Sequence, residues 1–275
     1  MPPPEREMSL LLAVDGDSFA HRAYHALPKS IRLNAVVGFT NMLVRLWQAE
    51  RPDAVLVAWD TLSVPTYRHE AFEPYQSGRV FEESIVEQLE ILPEVVAAFR
   101  FLVAKAPGYE ADDFLAAAAR EWPGAVLVAT SDRDAFQLAS ERVTILQPTR
   151  GVSELARIGP AEVRERYGVD PEQVPDLIAL RGDPSDKLPG ARGIGPKKAA
   201  DLLAQYGSLE AALADGRFAA EAEDLRLFRR IATMDASAPL PPLAETSPVW
   251  AEASSYLEQL GLGAVAARVG ELSTS

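Results

Sequence analysis

Three short apolar runs punctuate an otherwise mixed chain, and each ends in aspartate. Ser9 to Val14 runs into Asp15-Gly16-Asp17, Ala54 to Trp59 into Asp60, and Ala125 to Thr130 into Ser131-Asp132-Arg133-Asp134. None alternates apolar with polar positions, so these strands are expected to be covered on both faces. Between them the apolar positions take helical spacing. Val36, Phe39, Leu43, Leu46 and Trp47 mark one face of a helix predicted over Ala35 to Ala49 and stopped by Arg51-Pro52-Asp53. A second helix is predicted from about Glu82 to Leu102, and an edge strand over Val143 to Leu146. Pro160 opens a helix through Tyr167 and Pro171 another through Leu180. Strands separated by helices predict an α/β fold with a parallel sheet flanked by helices. Beyond Gly182 the pattern is helical, apart from a Pro- and Ser-rich connection over Asp235 to Pro248.

In such sheets ligands bind beyond the carboxyl ends of the strands. A single aspartate there reads as a helix cap or turn residue; three in three strands point to a shared site. The stretch Pro107-Gly108-Tyr109-Glu110-Ala111-Asp112-Asp113 adds three acids at the start of an apolar helix, where the macrodipole favours them. In a regular helix Glu110 and Asp113 share a face and Asp112 points elsewhere. The turn from Gly182 to Gly190 adds Asp183 and Asp186. The candidate set is therefore Asp15, Asp60, Glu110, Asp112, Asp113, Asp132, Asp134, Asp183 and Asp186. Hard oxygen donors without cysteine or neighbouring histidine suit Mg²⁺ or Mn²⁺ rather than zinc. Hydrolysis of a phosphodiester by in-line attack between two such ions is the chemistry that needs them.

Composition narrows the picture. The 275 residues contain no cysteine, which excludes disulfides, zinc-thiolate sites and thiol nucleophiles. Met1 to Met8 is proline-rich and charged, and the apolar run after it is too short for a signal or spanning segment, so the expected location is cytoplasmic, away from membranes. A net charge of −13 opposes nucleic-acid binding at first sight. Setting aside the nine clustered carboxylates from the 40 acidic residues leaves 31 against 27 basic ones. Binding to DNA would thus rely on local basic patches. One such segment, Val64 to Gln88, mixes aromatic and basic residues and suits either a surface loop or a lid over single-stranded nucleic acid. Another is Gly193-Ile194-Gly195-Pro196-Lys197-Lys198 after Arg192. Its glycines allow close backbone approach and its lysines sit at a helix N-terminus, as in a helix–hairpin–helix that grips a DNA backbone. It is not a P-loop, lacking Gly-Lys-Ser/Thr.

Taken in order, Asp15-Gly, the strand ending in Asp60, Gly-Tyr-Glu110-Ala-Asp112-Asp113, Thr-Ser-Asp132-Arg-Asp134, Gly-Asp183-Pro-Ser-Asp186 and Gly-Ile-Gly-Pro-Lys resemble the 5′-nuclease (flap endonuclease) superfamily. The likeness is greatest to the 5′→3′ exonuclease domain of bacterial DNA polymerase I. It implies a PIN-like nuclease core over residues 1–175 with a helical arch at about 64–88. A helical DNA-binding region would follow over 176–275, with the helix–hairpin–helix at about 187–205. It also implies that Asp15, Asp60, Glu110 and Asp112 hold a first ion, and that Asp113, Asp132, Asp134, Asp183 and Asp186 hold or orient a second. Arg22 and Arg79 would lie near the scissile phosphate, and Gln76, Arg192, Gly193, Gly195, Lys197 and Lys198 would contact DNA. A K⁺ ion on backbone carbonyls of the hairpin belongs to the same expectation, as does a monomer acting on DNA with a 5′ flap, a 5′ overhang or a single-strand/duplex junction in replication or repair. Two positions depart from the pattern: Gln76 stands where many relatives carry lysine, and Lys187 where they carry asparagine. These departures keep a DNA-structure-binding protein with reduced or lost activity in view. A PIN-like ribonuclease is the third reading.

Overall fold

The computed structural model describes residues 9–150 and 154–274, so the proline-rich start of the chain lies outside the described residues. In chain order the elements are β1 (Leu10–Asp15), α1 (Gly16–Ala26), α2 (Asn34–Glu50), β2 (Ala54–Ala58), α3 (Tyr67–Ala71), α4 (Glu83–Ala98), β3 (Leu102–Ala104), α5 (Ala111–Glu121), β4 (Ala125–Ala129), β5 (Val143–Arg150) and β6 (Glu154–Ile158). The helices α6 (Pro160–Tyr167), α7 (Val174–Arg181), α8 (Pro196–Tyr206), α9 (Leu209–Ala214), α10 (Ala222–Ala232), α11 (Trp250–Gln259) and α12 (Gly263–Glu271) complete the chain.

The strands form one six-stranded sheet in the order β3-β2-β1-β4-β5-β6. All neighbours pair in parallel except β5 and β6. Successive β1 residues enter opposite cores. Leu11 and Ala13 pack with Phe114, Val126 and Leu177 on one face, while Leu12 and Val14 pack with Phe39, Leu92 and Val265 on the other. That is the two-sided burial implied by runs without alternation. The chain winds from β1 outward to β2 and β3, then returns to β4 and continues to β5. The reversal of strand order therefore falls between β1 and β4. Val14 is level with Val57 of β2 and with Ala129 of β4, so the aspartates following these strands emerge at one end of the sheet. Such a switch point opens a crevice.

Several predicted boundaries shift. The helix expected to reach Leu102 ends at Ala98, because Arg100 takes a left-handed conformation (φ 64°) and turns the chain into the three-residue strand β3. The expected edge strand at Val143 lies one place inside the edge and continues to Arg150, with β6 folded back antiparallel beside it. The Asp235 to Pro248 connection is extended. Thr246 pins it to the start of β2, its amide donating to the Asp53 carbonyl at 2.7 Å and its hydroxyl accepting from Val55 N–H at 3.3 Å. Among the described residues no helix is long and apolar enough to cross a membrane.

Candidate active site

Beyond the carboxyl ends of β1, β2 and β4 lies a cavity of about 430 Å³. Eight of the nine predicted carboxylates line it: Asp15, Asp60, Glu110, Asp112, Asp132, Asp134, Asp183 and Asp186, joined by Asp17. Local hydrogen bonding places them. Asp15 caps α1, its Oδ1 accepting from Ser18 N–H at 2.9 Å, while its Oδ2 accepts from the Thr130 hydroxyl at 2.6 Å. Thr130 in turn accepts from Asp132 N–H at 3.0 Å, and Asp132 Oδ1 from Asp134 N–H at 2.9 Å. Asp60 Oδ1 accepts from Ala111 N–H at 2.7 Å and so holds the first turn of α5. In the Gly182 turn, Asp183 Oδ1 accepts from Ser185 N–H at 2.7 Å. These carboxylates therefore serve as caps and turn residues while also walling the cavity.

The predicted member outside the cavity wall is Asp113. Glu110 is the N-cap of α5, with extended backbone (φ −105°, ψ 163°), so helical spacing does not carry it onto the face of Asp113. Instead Asp113 turns back beneath the cap and accepts from Glu110 N–H at 3.2 Å. Its side chain is fully buried and accepts bidentate bonds from Arg68 at 2.7 and 2.8 Å, and from Asp235 N–H at 2.7 Å. Asp112, off the Glu110–Asp113 face of a regular helix but counted among the candidate ligands, faces the cavity.

The sequence places Arg68 in the arch segment but does not pair it with the acids, its charge partners lying more than 40 residues away. It is 1 % exposed, donates from Nε to the Ile231 carbonyl at 2.9 Å, and approaches Asp112 at 3.4 Å and Glu110 at 3.7 Å. Glu110 also accepts from the Thr66 hydroxyl at 2.9 Å and the Tyr75 hydroxyl at 3.0 Å. The segment after α3 closes the other side. Arg79 donates to Asp186 at 3.1 Å, and Gln76 Nε2 donates to Asp186 at 3.2 Å and to the Tyr75 hydroxyl at 2.8 Å. Lys187 is exposed and absent from the cavity wall; Asp186 is engaged by Arg79 and Gln76.

Arg22 does not line the cavity. On α1 the residues that reach it are Asp17, Ser18 and His21; the half-buried Arg22 lies one turn beyond Ser18 but is not part of the wall. Arg192, Gly193, Gly195, Lys197 and Lys198 are exposed on the hairpin that leads into α8, away from the cavity lining. Gly193 (φ 74°) makes its turn, and Lys198 Nζ donates to the Gly193 carbonyl at 3.1 Å.

Burial raises Asp15 and Glu110 to about 7 and Asp186 to about 6. It also pushes Asp17, Asp60, Asp112, Asp132 and Asp134 upward, and neighbouring carboxylates add to the effect. Burial works against the charge of Arg68, but Asp112, Asp113 and Glu110 outweigh it and hold the guanidinium charged. Divalent cations fit this donor set. The carboxylates are hard oxygen donors, and Asp112 Oδ1 is buried without a hydrogen-bond partner. Among the described residues no three His, Cys, Asp or Glu side chains close tightly enough to enclose an ion by themselves.

These shifts fix a pH dependence. A carboxyl raised in the folded state binds its proton more tightly there than in the unfolded chain, so keeping it ionised costs stability. The cost is full above the folded pKa, shrinks as pH falls through it and is gone below the unfolded pKa. Metal-free protein should melt at a higher temperature at pH 6 than at pH 8, and saturating Mg²⁺ should narrow the gap by raising the pH 8 value. Thermal melts with and without chelator check this; a metal-free protein more stable at pH 8 would contradict it.

Comparison with known proteins agrees with this geometry. The model for the 5′-3′ exonuclease N-terminal resolvase-like domain matches residues 10–168, and that for the 5′-3′ exonuclease C-terminal SAM fold matches residues 169–251. DNA polymerase I of Mycobacterium tuberculosis is 43% identical over 219 residues, covering 76% of this chain and 24% of the polymerase. The thermostable DNA polymerase I of Thermus thermophilus is 39% identical over 249 residues, covering 84% of this chain and 29% of its own. The chain thus spans about a quarter of the length of the curated relatives it matches. Among solved structures, the T5 5′-exonuclease with divalent metal ions (zinc) bound superposes with a TM-score of 0.68 at 20% identity, covering 95% of this chain and 98% of the other. The catalytic core of Rad2 in complex with DNA substrate superposes at 0.61 and 16% identity, covering 96% and 91%. These distant likenesses show a shared fold. With the N-terminal model alone matching more than half of its residues, the chain belongs to the 5′-3′ exonuclease family.

Proposed function

We propose that this protein is a divalent-metal-dependent 5′-nuclease, an exonuclease or flap endonuclease that hydrolyses phosphodiester bonds of DNA at 5′ ends or flaps in replication or repair. The observation that carries the reading is the cavity itself, in which eight of the predicted carboxylates from five stretches of the chain meet at the switch point of a parallel sheet. Asp15, Asp60, Glu110 and Asp112 form its β1–β2–α5 side and would hold one Mg²⁺ or Mn²⁺; Asp132, Asp134, Asp183 and Asp186 would hold a second. When bound, such ions supply a water of lowered pKa and neutralise charge on the phosphoryl oxygens. Thr66 and Tyr75 orient Glu110 through its two oxygens, and Thr130 orients Asp15. Arg79, now paired with Asp186, is the wall cation placed to turn toward a phosphate once that carboxylate is engaged elsewhere.

Away from the cavity, Arg192, Gly193, Gly195, Lys197 and Lys198 would take the duplex backbone, their exposure and charge suiting a phosphate track. A K⁺ ion on the hairpin carbonyls would strengthen that grip. The partner is DNA carrying a 5′ flap, 5′ overhang or junction, and the protein would act as a cytoplasmic monomer. The solved Rad2 core and human GEN1 in complex with DNA belong to proteins of like fold.

Incubation of a 5′-flap DNA with the protein and Mg²⁺ or Mn²⁺ should give cleavage that chelator abolishes and that Asp132→Ala reduces at least about a hundredfold, as removal of a transition-state contact does. No metal-dependent cleavage would sink the enzyme reading, and tight flap binding in Ca²⁺ would then identify a DNA-structure-binding protein. Preferential cleavage of an RNA flap would identify a ribonuclease. Gln76 adds a second expectation. Its amide bridges Tyr75 and Asp186 but brings no positive charge. Gln76→Lys should raise the single-turnover cleavage rate at least about tenfold, since one well-placed electrostatic contact contributes about 2–4 kcal/mol. An unchanged or lower rate would show that Arg79 already supplies the needed charge.

A further inference from the structure

Asp17 stands outside the nine carboxylates singled out in the sequence, yet it lines the cavity and is only 9 % exposed. Its Oδ2 accepts from the Asp60 N–H at 2.7 Å, a bond between residues 43 apart in the chain. Gly16 makes that reach feasible. A Cβ at Gly16 would stand 2.6 Å from the Trp59 ring and 2.7 Å from the Ala58 carbonyl, closer than real side chains approach. Glycine thus lets the end of β1 press against the end of β2, and the next residue meets the first amide beyond Trp59.

The contact continues. Asp60, its backbone held by Asp17, accepts from Ala111 N–H at 2.7 Å through its own side chain. Ala111 opens α5, between Glu110 and Asp112. Two aspartates in series therefore join the end of β1 to the helix that carries two other cavity acids. Asp15 does the corresponding work on the opposite side, its second oxygen reaching Thr130 after β4. The central strand is tied to one neighbour by Asp15 and to the other by Asp17.

We propose that Asp17 is a positioning residue of the cation site, holding Asp60 and, through it, the start of α5 in register. This rests on the cation-site reading given above. Such a role needs the acceptor oxygen rather than the charge. Asparagine at 17 keeps an acceptor for Asp60 N–H, whereas alanine removes it. Groups that orient ligands typically contribute about 10–100-fold to metal affinity.

The test measures Mn²⁺ binding by calorimetry and hydrogen exchange at the Asp60 and Ala111 amides, in the wild type, Asp17→Asn and Asp17→Ala. Asp17→Ala should weaken Mn²⁺ binding at least about tenfold and speed exchange at both amides; Asp17→Asn should retain protection and stay within about threefold of wild-type affinity. Equal losses in both variants would overturn the assignment in favour of a directly ligating carboxylate. Wild-type affinity in Asp17→Ala, or fast wild-type exchange at the Asp60 amide, would overturn it outright. The amide readout is independent of metal, so a wild type that binds no Mn²⁺ would refute the cation site while the exchange data still judge the contact.

Discussion

One buried guanidinium stands against the concentration of carboxylates at the end of the sheet. Arg68 binds Asp113 through two parallel hydrogen bonds and lies within 4 Å of Asp112 and Glu110, with almost no access to solvent. Removing one partner of such a pair strands a buried charge, at a cost of about 3–5 kcal/mol. The arrangement joins three elements, since Arg68 sits on α3, its acids on or beside α5, and its Nε partner Ile231 on α10. It also divides the acids by task. Asp113 is engaged by the fold, and Asp112, on the cavity wall, keeps one buried oxygen without a hydrogen-bond partner.

The rest of the site follows from covering a parallel sheet on both faces. Level strand ends deliver Asp15, Asp60 and Asp132 to one crevice, and backbone amides of neighbouring elements fix their orientation. Each carboxylate so held loses water, which raises its proton affinity. A site assembled this way is strained electrostatically, and bound cations would relieve it. Arg79 and Gln76 supply partial relief by bonding Asp186, and they do so from the segment that roofs the cavity. Under the proposed reading, cation occupancy and the position of that segment would be coupled through Asp186.

Much of this was legible in the sequence because strand-terminal aspartates and uninterrupted apolar runs report directly on a parallel sheet and its crevice. What escaped has identifiable physical causes. Asp113 was grouped with Glu110 on helical spacing, but a cap residue in extended conformation does not share the helix's periodicity. Arg68 lies in a segment of mixed aromatic and basic residues, and nothing local marks a guanidinium whose partners are brought to it by tertiary packing. β3 is three residues long and continues the apolar character of α4, so only the left-handed turn at Arg100 separates them. Asp17 was hidden by its neighbour: in Asp-Gly-Asp the first acid explains the turn, and only the approach allowed by Gly16 shows a use for the second.

Above all, acids raised by burial should hold protons near neutral pH and release them when divalent cations bind. Calorimetric titration of Mg²⁺ into metal-free protein at pH 7, in two buffers of different ionisation enthalpy, measures that exchange directly. With Asp15 and Glu110 raised to about 7, release of about one proton or more per protein is expected, falling toward none at pH 9. Binding heats that are identical in the two buffers at pH 7 would contradict this exchange.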